Sequence, residues 1–154
     1  MIRTAPLEQA ELAIIGAGCA GLSLARQLVR TEKTSSIKAC LYGPISPAAT
    51  NRHSWGFWAT QGLKEQTELA RQRWHKWQII TAERKVTQTA VLHPYCRLDS
   101  RDWLTHCLNI IDGNIQQEPD NLPTPGAKPV FDSRPPNVPN GAMLQHFKGV
   151  EIKA

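Results

Sequence analysis

Three glycines near the amino terminus have the spacing of a phosphate-binding turn. Gly16, Gly18 and Gly21 fit the pattern G-x-G-x-x-G. In such a turn the first glycine permits a tight bend, the second lets the backbone approach a pyrophosphate, and the third lets a helix pack closely on a strand. Free N–H groups at the start of that helix attract phosphate oxygens. The turn is therefore predicted to bind the diphosphate of a dinucleotide through Gly16, Ala17, Gly18, Cys19, Ala20 and Gly21.

The residues around this turn predict the elements that must position it. Residues 12–15 are an apolar run, typical of a strand that is buried on both faces. A helix with one apolar face follows, and its polar positions include Arg26 and Arg30. Residues 37–42 predict a second strand. A strand, a helix and a strand within about 30 residues favour an α/β, Rossmann-like domain with a parallel sheet. In the alternative interpretation, the glycines only close the turn and bind no ligand.

The usual partner of the adenosine ribose is missing from this unit. An Asp or Glu normally follows the glycine turn by about 20 residues and accepts a hydrogen bond from the ribose. Here the second strand ends in Leu41 and Tyr42, and no acid occurs before Glu65. Tyr42 is the candidate for a ribose hydrogen bond, through its phenol and without a charge.

An aromatic cluster lies in residues 43–62, a segment that prolines and glycines predict to be loop-like. Its aromatic members are Trp55, Phe57 and Trp58. Two interpretations remain open for them. They either form a hydrophobic plug against the core, or they line a pocket for a large apolar ligand or a flavin ring.

The rest of the chain predicts a mixture of short elements. We expect a helix over 63–75, a hairpin from 77–81 and 86–92, and a helix that starts at Ser100 as its N-cap. The buried face of that helix is predicted to comprise Trp103, Leu104, Cys107 and Leu108. Recurrent prolines over 112–139 argue against regular structure there, with residues 130–131 as its one buried-looking piece.

Composition limits the classes of function. The 154 residues carry a net charge of +5 without a dense basic run, which argues against nucleic-acid binding. The four cysteines have no zinc spacing, so we expect free thiols and no metal site. No apolar run approaches the length of a transmembrane helix, and the start lacks a signal-peptide profile. We therefore expect a cytoplasmic chain, with peripheral contact to the inner face of an anionic membrane as the alternative.

The order of these landmarks resembles the lycopene cyclase family of carotenoid biosynthesis. The resemblance rests on the glycine turn and on four further segments: residues 52–58 (Arg-His-Ser-Trp-Gly-Phe-Trp), 95–103 (Tyr-Cys-Arg-Leu-Asp-Ser-Arg-Asp-Trp), 130–135 (Val-Phe-Asp-Ser-Arg-Pro) and 145–149 (Gln-His-Phe-Lys-Gly). The glycine turn is shared by many flavoproteins. The last two segments distinguish this family from other oxidoreductases.

The resemblance implies a flavoprotein isomerase. Members convert the ψ-ends of lycopene into β-ionone rings by acid catalysis without net redox change, require reduced FAD, and use NAD(P)H to keep it reduced. Their fold is a nucleotide-binding α/β domain interleaved with a β-sheet substrate domain. By resemblance, the glycine turn contacts FAD, and Asp132, in an Asp-Ser-Arg element with Arg134, is a further cofactor-binding residue. Trp55, Phe57 and Trp58 are expected to line the substrate pocket.

The resemblance also implies that the chain is an amino-terminal piece. We expect residues 1–154 to form one truncated FAD/NAD(P)-binding domain, within which residues 43–109 contribute to a substrate-side subdomain. The acidic motif of the family lies further along, so no catalytic residue is assigned. Two alternatives remain: another FAD-dependent oxidoreductase of the monooxygenase type, or an inactive nucleotide-binding remnant.

Overall fold

The computed structural model describes residues 10–31, 33, 36–44, 53–123 and 129–134. In these residues nine strands and three helices alternate in a mixed α/β arrangement. In chain order they are β1 (Leu12–Ile15), α1 (Cys19–Arg30), β2 (Ala39–Tyr42), β3 (Ser54–Trp58), α2 (Lys64–Leu69), β4 (Gln72–Trp74), β5 (Lys76–Ile80), β6 (Lys85–Thr89), β7 (Tyr95–Asp99), α3 (Ser100–Ile111), β8 (Gln116–Glu118) and β9 (Val130–Asp132). A single turn of 3-10 helix, Gln61–Leu63, precedes α2.

Four parallel strands form the sheet that carries the glycine turn. Their order is β8-β2-β1-β9, and every neighbouring pair runs parallel. Ile15 lies opposite both Tyr42 and Asp132, and Tyr42 lies opposite Glu118. The carboxyl ends of all four strands therefore meet at one edge. This confirms the predicted α/β class with a parallel sheet.

The main core lies between this sheet and two helices. Ile14 and Leu41 face α1 and α3, which contribute Leu22 and Trp103 among other buried side chains. Alternate residues of the same strands point to the opposite face, where a second cluster contains Ala10, Ala13, Ile15, Cys40 and Tyr42. The apolar runs of β1 and β2 are thus buried on both faces, as expected for parallel strands.

The remaining strands form an antiparallel sheet and a separate hairpin. The sheet has the order β3-β7-β4, and β5 pairs with β6 alone. Helix α3 follows β7 directly and is anchored at its start by Ser100. The Ser100 N–H donates to the His53 carbonyl at 2.9 Å, and its Oγ accepts from the His53 N–H at 3.1 Å. Ser100 therefore starts the helix as predicted, whereas the N-cap is Asp99.

Several local predictions need correction. The segment 63–75 is not one helix, because α2 ends at Leu69 and Gln72–Trp74 pairs with β7. The segment 43–62 is not simply a loop, because Ser54–Trp58 pairs with the other side of β7. In both cases a distant strand supplies the backbone partners and overrides local preference.

The proline-rich part of the chain also contains more structure than expected. Strands β8 and β9 both fall within 112–139 and pair with the central parallel strands. Val130 and Phe131 are 48% and 40% exposed, so the prediction that they are buried was wrong. Each of these two strands has only three residues, which is short enough to fit between prolines.

Candidate functional site

The glycine turn joins β1 to α1 at the carboxyl edge of the parallel sheet. Gly16 has a φ of +98°, a backbone conformation that side chains other than glycine rarely adopt. Its N–H donates to the Tyr42 carbonyl at 2.8 Å. A Cβ on Gly21 would lie 1.9 Å from the Gly16 carbonyl oxygen, so Gly21 allows the helix to pack against the turn. The fold therefore requires glycine at both positions.

Gly18 differs from the other two glycines because the fold does not require it. Its φ of −84° and ψ of −167° are open to ordinary residues. A Cβ placed there would meet no atom within 4 Å. The missing side chain thus leaves exposed backbone at the amino-terminal end of α1. The open space beside Gly18 allows a ligand to approach the backbone closely.

The Asp-Ser-Arg element at the end of β9 makes hydrogen bonds to the glycine turn. The Ser133 hydroxyl donates to two carbonyl oxygens. Its Oγ lies 2.8 Å from the Ile15 oxygen and 3.1 Å from the Gly16 oxygen. The Ser133 N–H also donates to the Ile15 carbonyl, at 2.9 Å. Sequence reasoning singled out the residues on either side of Ser133 but not Ser133 itself. Its role depends on the pairing of β9 with β1, which local sequence does not reveal.

Asp132 and Arg134 bind each other rather than a third group. Arg134 Nε lies 2.9 Å from Asp132 Oδ1, and Arg134 Nη2 lies 2.7 Å from Asp132 Oδ2. These hydrogen bonds, with one from the Arg134 N–H, lower the pKa of Asp132 to about 2. Both side chains are about half exposed. The Arg134 backbone and Cγ lie beside Gly16, while its guanidinium is held by Asp132.

A cavity of about 420 Å³ lies over the glycine turn. It is open at the carboxyl edge of the sheet, where ligands of open α/β sheets usually bind. The lining residues are Ile15, Gly16, Ala17, Gly18, Gly43, Pro44, Pro119, Asp120, Asn121, Leu122 and Arg134. The structure therefore brings three predicted cofactor-binding residues, Gly16, Ala17 and Gly18, together with the loop that follows β8.

Three further predicted cofactor ligands follow Gly18 directly along the chain. Cys19 and Ala20 are exposed and form the first turn of α1, whereas Gly21 is buried beneath it. Burial of its sulfur raises the pKa of the Cys19 thiol, and a hydrogen bond with Ser23 only partly offsets this. Cys19 is thus a poor thiolate despite its place at a helix start. None of the four cysteines, all of which the structure describes, forms a disulfide.

The structure does not bring Tyr42 to the cavity. Its side chain is 2% exposed and belongs to the second core cluster. Burial first, then a hydrogen bond with Cys40 and the nearby charge of Glu118, raises the pKa of the Tyr42 phenol to about 12. A buried, neutral phenol on the face of the sheet cannot reach a ribose that occupies the cavity.

The three predicted substrate-side aromatics lie on two opposite faces of β3. Side chains alternate along a strand, so Trp55 and Phe57 share a face and Trp58 points the other way. Trp55 and Phe57 are partly buried and pack against the main core. Trp58 is 42% exposed. The three side chains therefore cannot line one wall, and Trp55 and Phe57 take the role of a hydrophobic plug.

Trp58 belongs instead to an aromatic patch on the outer face of the antiparallel sheet. The patch comprises Trp58, Trp74, Trp77 and Tyr95. Trp58 makes edge contacts with Tyr95 and Trp77, with ring centroids 4.9 and 5.5 Å apart. Tyr95 in turn lies 6.2 Å from Trp74. Sequence reasoning missed this patch, because its members come from four strands.

Gly56 makes the aromatic patch possible. A Cβ on Gly56 would lie 1.9 Å from the Tyr95 hydroxyl and 2.6 Å from the ring carbon that carries it. The Tyr95 ring therefore lies directly over the backbone of β3. A strand glycine covered by an aromatic ring from the neighbouring strand is a known way to stabilise such a position.

A partly buried ion-pair cluster connects the three helices. Glu65 of α2 forms ion pairs with Arg26 and Arg30 of α1, and His106 Nε2 of α3 lies 3.0 Å from its carboxylate. Burial favours the neutral acid, but the hydrogen bonds from His106 and Arg26 and the charges of both arginines lower the pKa of Glu65 to about 2.

Arg26 is buried in this cluster, although the helical pattern placed it on the polar face. It is 8% exposed, and its guanidinium lies 5.1 Å from the centre of the Trp103 ring. Its buried Nε has no hydrogen-bond partner among the described residues. No local pattern predicts this burial, because it depends on α2 and α3 packing over α1.

Further landmarks can be placed only in part. Arg52, Pro135 and residues 145–149, which contribute to the family resemblance, lie outside the described residues. Among the described residues, no group of three or more His, Cys, Asp or Glu side chains could hold a metal ion. The helices in that part of the chain are too short or too polar to cross a bilayer.

Comparison with solved structures finds partial matches to longer proteins. A mutant of P. aeruginosa PqsL gives a TM-score of 0.54 at 14% identity, covering 70% of this chain and 32% of its own. QhpG, a peptidyl tryptophan dihydroxylase essential for tryptophylquinone cofactor biogenesis, gives 0.44 at 13% identity, covering 71% of this chain and 25% of its own. The likeness to PqsL concerns the fold alone, and this chain spans about a third of that protein.

Sequence comparison identifies the family. No curated protein matches the chain. The family model described as lycopene cyclase protein matches residues 11–111, from the first residue before β1 to the last residue of α3. The match includes the glycine turn, the antiparallel sheet and the ion-pair cluster. The chain belongs to the lycopene cyclase family.

Proposed function

We propose that this chain is the dinucleotide-binding part of a lycopene cyclase and that its glycine turn holds the diphosphate of FAD. The parallel sheet with its glycine turn would then be a Rossmann-like FAD/NAD(P)-binding fold. The observation that carries the proposal is Gly18. The fold explains the glycines at 16 and 21, whereas the missing side chain at 18 leaves room in the cavity for a ligand to approach the backbone.

The residues around the turn fit a dinucleotide. Gly18 lines the cavity, and the 12-residue helix α1 begins at the next residue with its free N–H groups. These donors and the helix dipole favour a diphosphate. Arg134 adds a cation at the edge of the same cavity. Ser133 fixes the Gly16 carbonyl, so the turn is held in shape before a ligand binds.

The proposed reaction is the acid-catalysed closure of β-ionone rings at the ψ-ends of lycopene, without net redox change. Bound reduced FAD would supply negative charge near a carbocation, and NAD(P)H would keep the flavin reduced. This chain's own contribution is to bind and orient the cofactor. No described residue is assigned as the catalytic acid.

We further propose that the apolar substrate contacts the aromatic patch rather than the plug formed by Trp55 and Phe57. The patch offers exposed rings on a single face, and Ile79 and Val86 of the hairpin lie near Trp77 and are 54% and 43% exposed. Lycopene is insoluble in water, so we place the protein in the cytoplasm with transient contact to the membrane surface that holds this substrate.

Binding of FAD to a Gly18→Val variant tests the cofactor site. We expect the variant to lose FAD binding, measured by the flavin absorption spectrum after gel filtration, with an unchanged circular dichroism spectrum. The control is Gly62→Val, because a Cβ on Gly62 also meets nothing within 4 Å but does not line the cavity. FAD affinity that is equal in wild type and Gly18→Val would refute the proposed site.

Quenching of tryptophan fluorescence by lycopene in detergent micelles tests the aromatic patch. We expect quenching in the wild type and a weaker apparent affinity in Trp58→Ala. Ile80→Ala is the control, because Ile80 is 68% exposed but lies on the hairpin face opposite Trp77. Equal affinities for both variants would remove the patch from the substrate site.

A further inference from the structure

The end of β2 cannot supply the carboxylate that normally binds an adenosine ribose. Tyr42, its last residue, is buried in the second core cluster. The next residue, Gly43, has a φ of +117°, which an aspartate or glutamate would adopt only with strain. The Tyr42 carbonyl accepts a hydrogen bond from the Gly16 N–H, so the end of β2 holds the glycine turn, and neither Tyr42 nor Gly43 can be replaced by an acid without strain or loss of core packing.

The neighbouring strand β8 ends beside this position. Glu118 lies opposite Tyr42, but its carboxylate already accepts hydrogen bonds from Gln116 at 2.9 Å and Asn121 at 3.1 Å. Asp120, two residues further, is exposed and lines the cavity over the glycine turn. Its carboxylate has no hydrogen bond or ion pair with any other residue that the structure describes.

A carboxylate in this place has a restricted choice of ligand groups. It repels the phosphates that the glycine turn attracts, and it accepts hydrogen bonds from neutral hydroxyls. In a bound dinucleotide the ribose adjoins the diphosphate and presents such hydroxyls. Asp120 and the turn line one cavity of about 420 Å³, so both parts of the ligand can be reached at once.

We propose that Asp120 binds the adenosine ribose hydroxyls, in place of the acid that is absent from the end of β2. The proposal rests on the proposed function, since it assumes a dinucleotide in the cavity. It makes Asp120 a determinant of ligand choice, because its charge excludes an adenosine with a 2′-phosphate. The loop after β8 thus binds the ribose, which the end of β2 usually binds.

The test measures ADP binding by isothermal titration calorimetry to wild type and to Asp120→Asn. Loss of a charge-assisted hydrogen bond should lower the affinity for ADP about tenfold. Asp112→Asn, the same change at an exposed position after α3, should leave it unaltered. Because 2′-deoxy-ADP lacks one hydroxyl, it should bind wild type more weakly than ADP does and should lose less affinity from Asp120→Asn.

Each other outcome would overturn the inference in a distinguishable way. Equal ADP affinity in wild type and Asp120→Asn would show that Asp120 does not contact the ribose, while the dinucleotide site would stand. Tighter ADP binding in Asp120→Asn would mean that the carboxylate faces the phosphates. If the wild type binds neither ADP nor FAD, the proposed function is refuted, and this inference is refuted with it.

Discussion

Replacing Glu65 with glutamine should destabilise the fold substantially, although Glu65 lies outside the proposed binding site. Glutamine keeps the size of the side chain and removes only its charge. The change leaves the buried Arg26 guanidinium without its carboxylate, and a buried charge without a partner is costly. Urea denaturation followed by tryptophan fluorescence would measure the resulting loss in the free energy of unfolding.

The size of this loss follows from the pKa of Glu65. Folding lowers that pKa from 4.5 to about 2, and each unit corresponds to about 1.4 kcal/mol, which gives an upper bound of about 3.5 kcal/mol. The Glu65 side chain is 28% exposed, so solvent screening reduces the contribution. We therefore expect Glu65→Gln to lower the free energy of unfolding by about 2 kcal/mol at neutral pH.

A second glutamate on the same helix provides the matched control. Glu68 is 63% exposed and lies 4.0 Å from Lys64, so Glu68→Gln should cost less than about 0.5 kcal/mol. Because the pKa of Glu65 is lowered on folding, its contribution is complete above pH 4.5 and is lost as the pH falls towards 2. Equal losses in the free energy of unfolding for Glu65→Gln and Glu68→Gln would refute the reasoning. A wild type that stays more stable than Glu65→Gln as the pH falls from 4.5 to 2 would also refute it.

Three further substitutions test individual contacts. Gly56→Ala should lower the free energy of unfolding by about 1–2 kcal/mol, because the new methyl group displaces the Tyr95 ring; urea titration would show no change if the ring moves freely. Ser133→Ala should cost about 1 kcal/mol in the same assay and weaken FAD binding, because the glycine turn loses its hydroxyl donor. Arg134→Gln should raise the pKa of Asp132 from about 2 towards 3.8, and an NMR titration without this rise would contradict the ion pair.

Local sequence was sufficient to predict the parts of the molecule that depend on short-range patterns. The apolar runs of β1 and β2 and the glycine spacing predicted a parallel α/β sheet and the turn at its edge, and the order of the motifs predicted the lycopene cyclase family. The hairpin and the start of α3 were predicted for the same reason. In each case the signal lies within a few neighbouring residues.

Tertiary structure decided which side chains share a site. Trp58 is separated from Trp55 because β3 is a strand paired with β7, and strand geometry sends neighbours to opposite faces. Arg26 is buried because α2 and α3 bring Glu65 and Trp103 over it.

The sequence by itself determined the glycine turn, because bends and close approaches depend on the residue types at fixed spacing. It could not assign the residues that complete the cavity. Asp120 and Arg134 follow Gly18 by more than a hundred positions and line the same cavity because β8 and β9 join the parallel sheet. Such pairings depend on backbone hydrogen bonds and burial between distant segments, which leave no pattern in either segment alone.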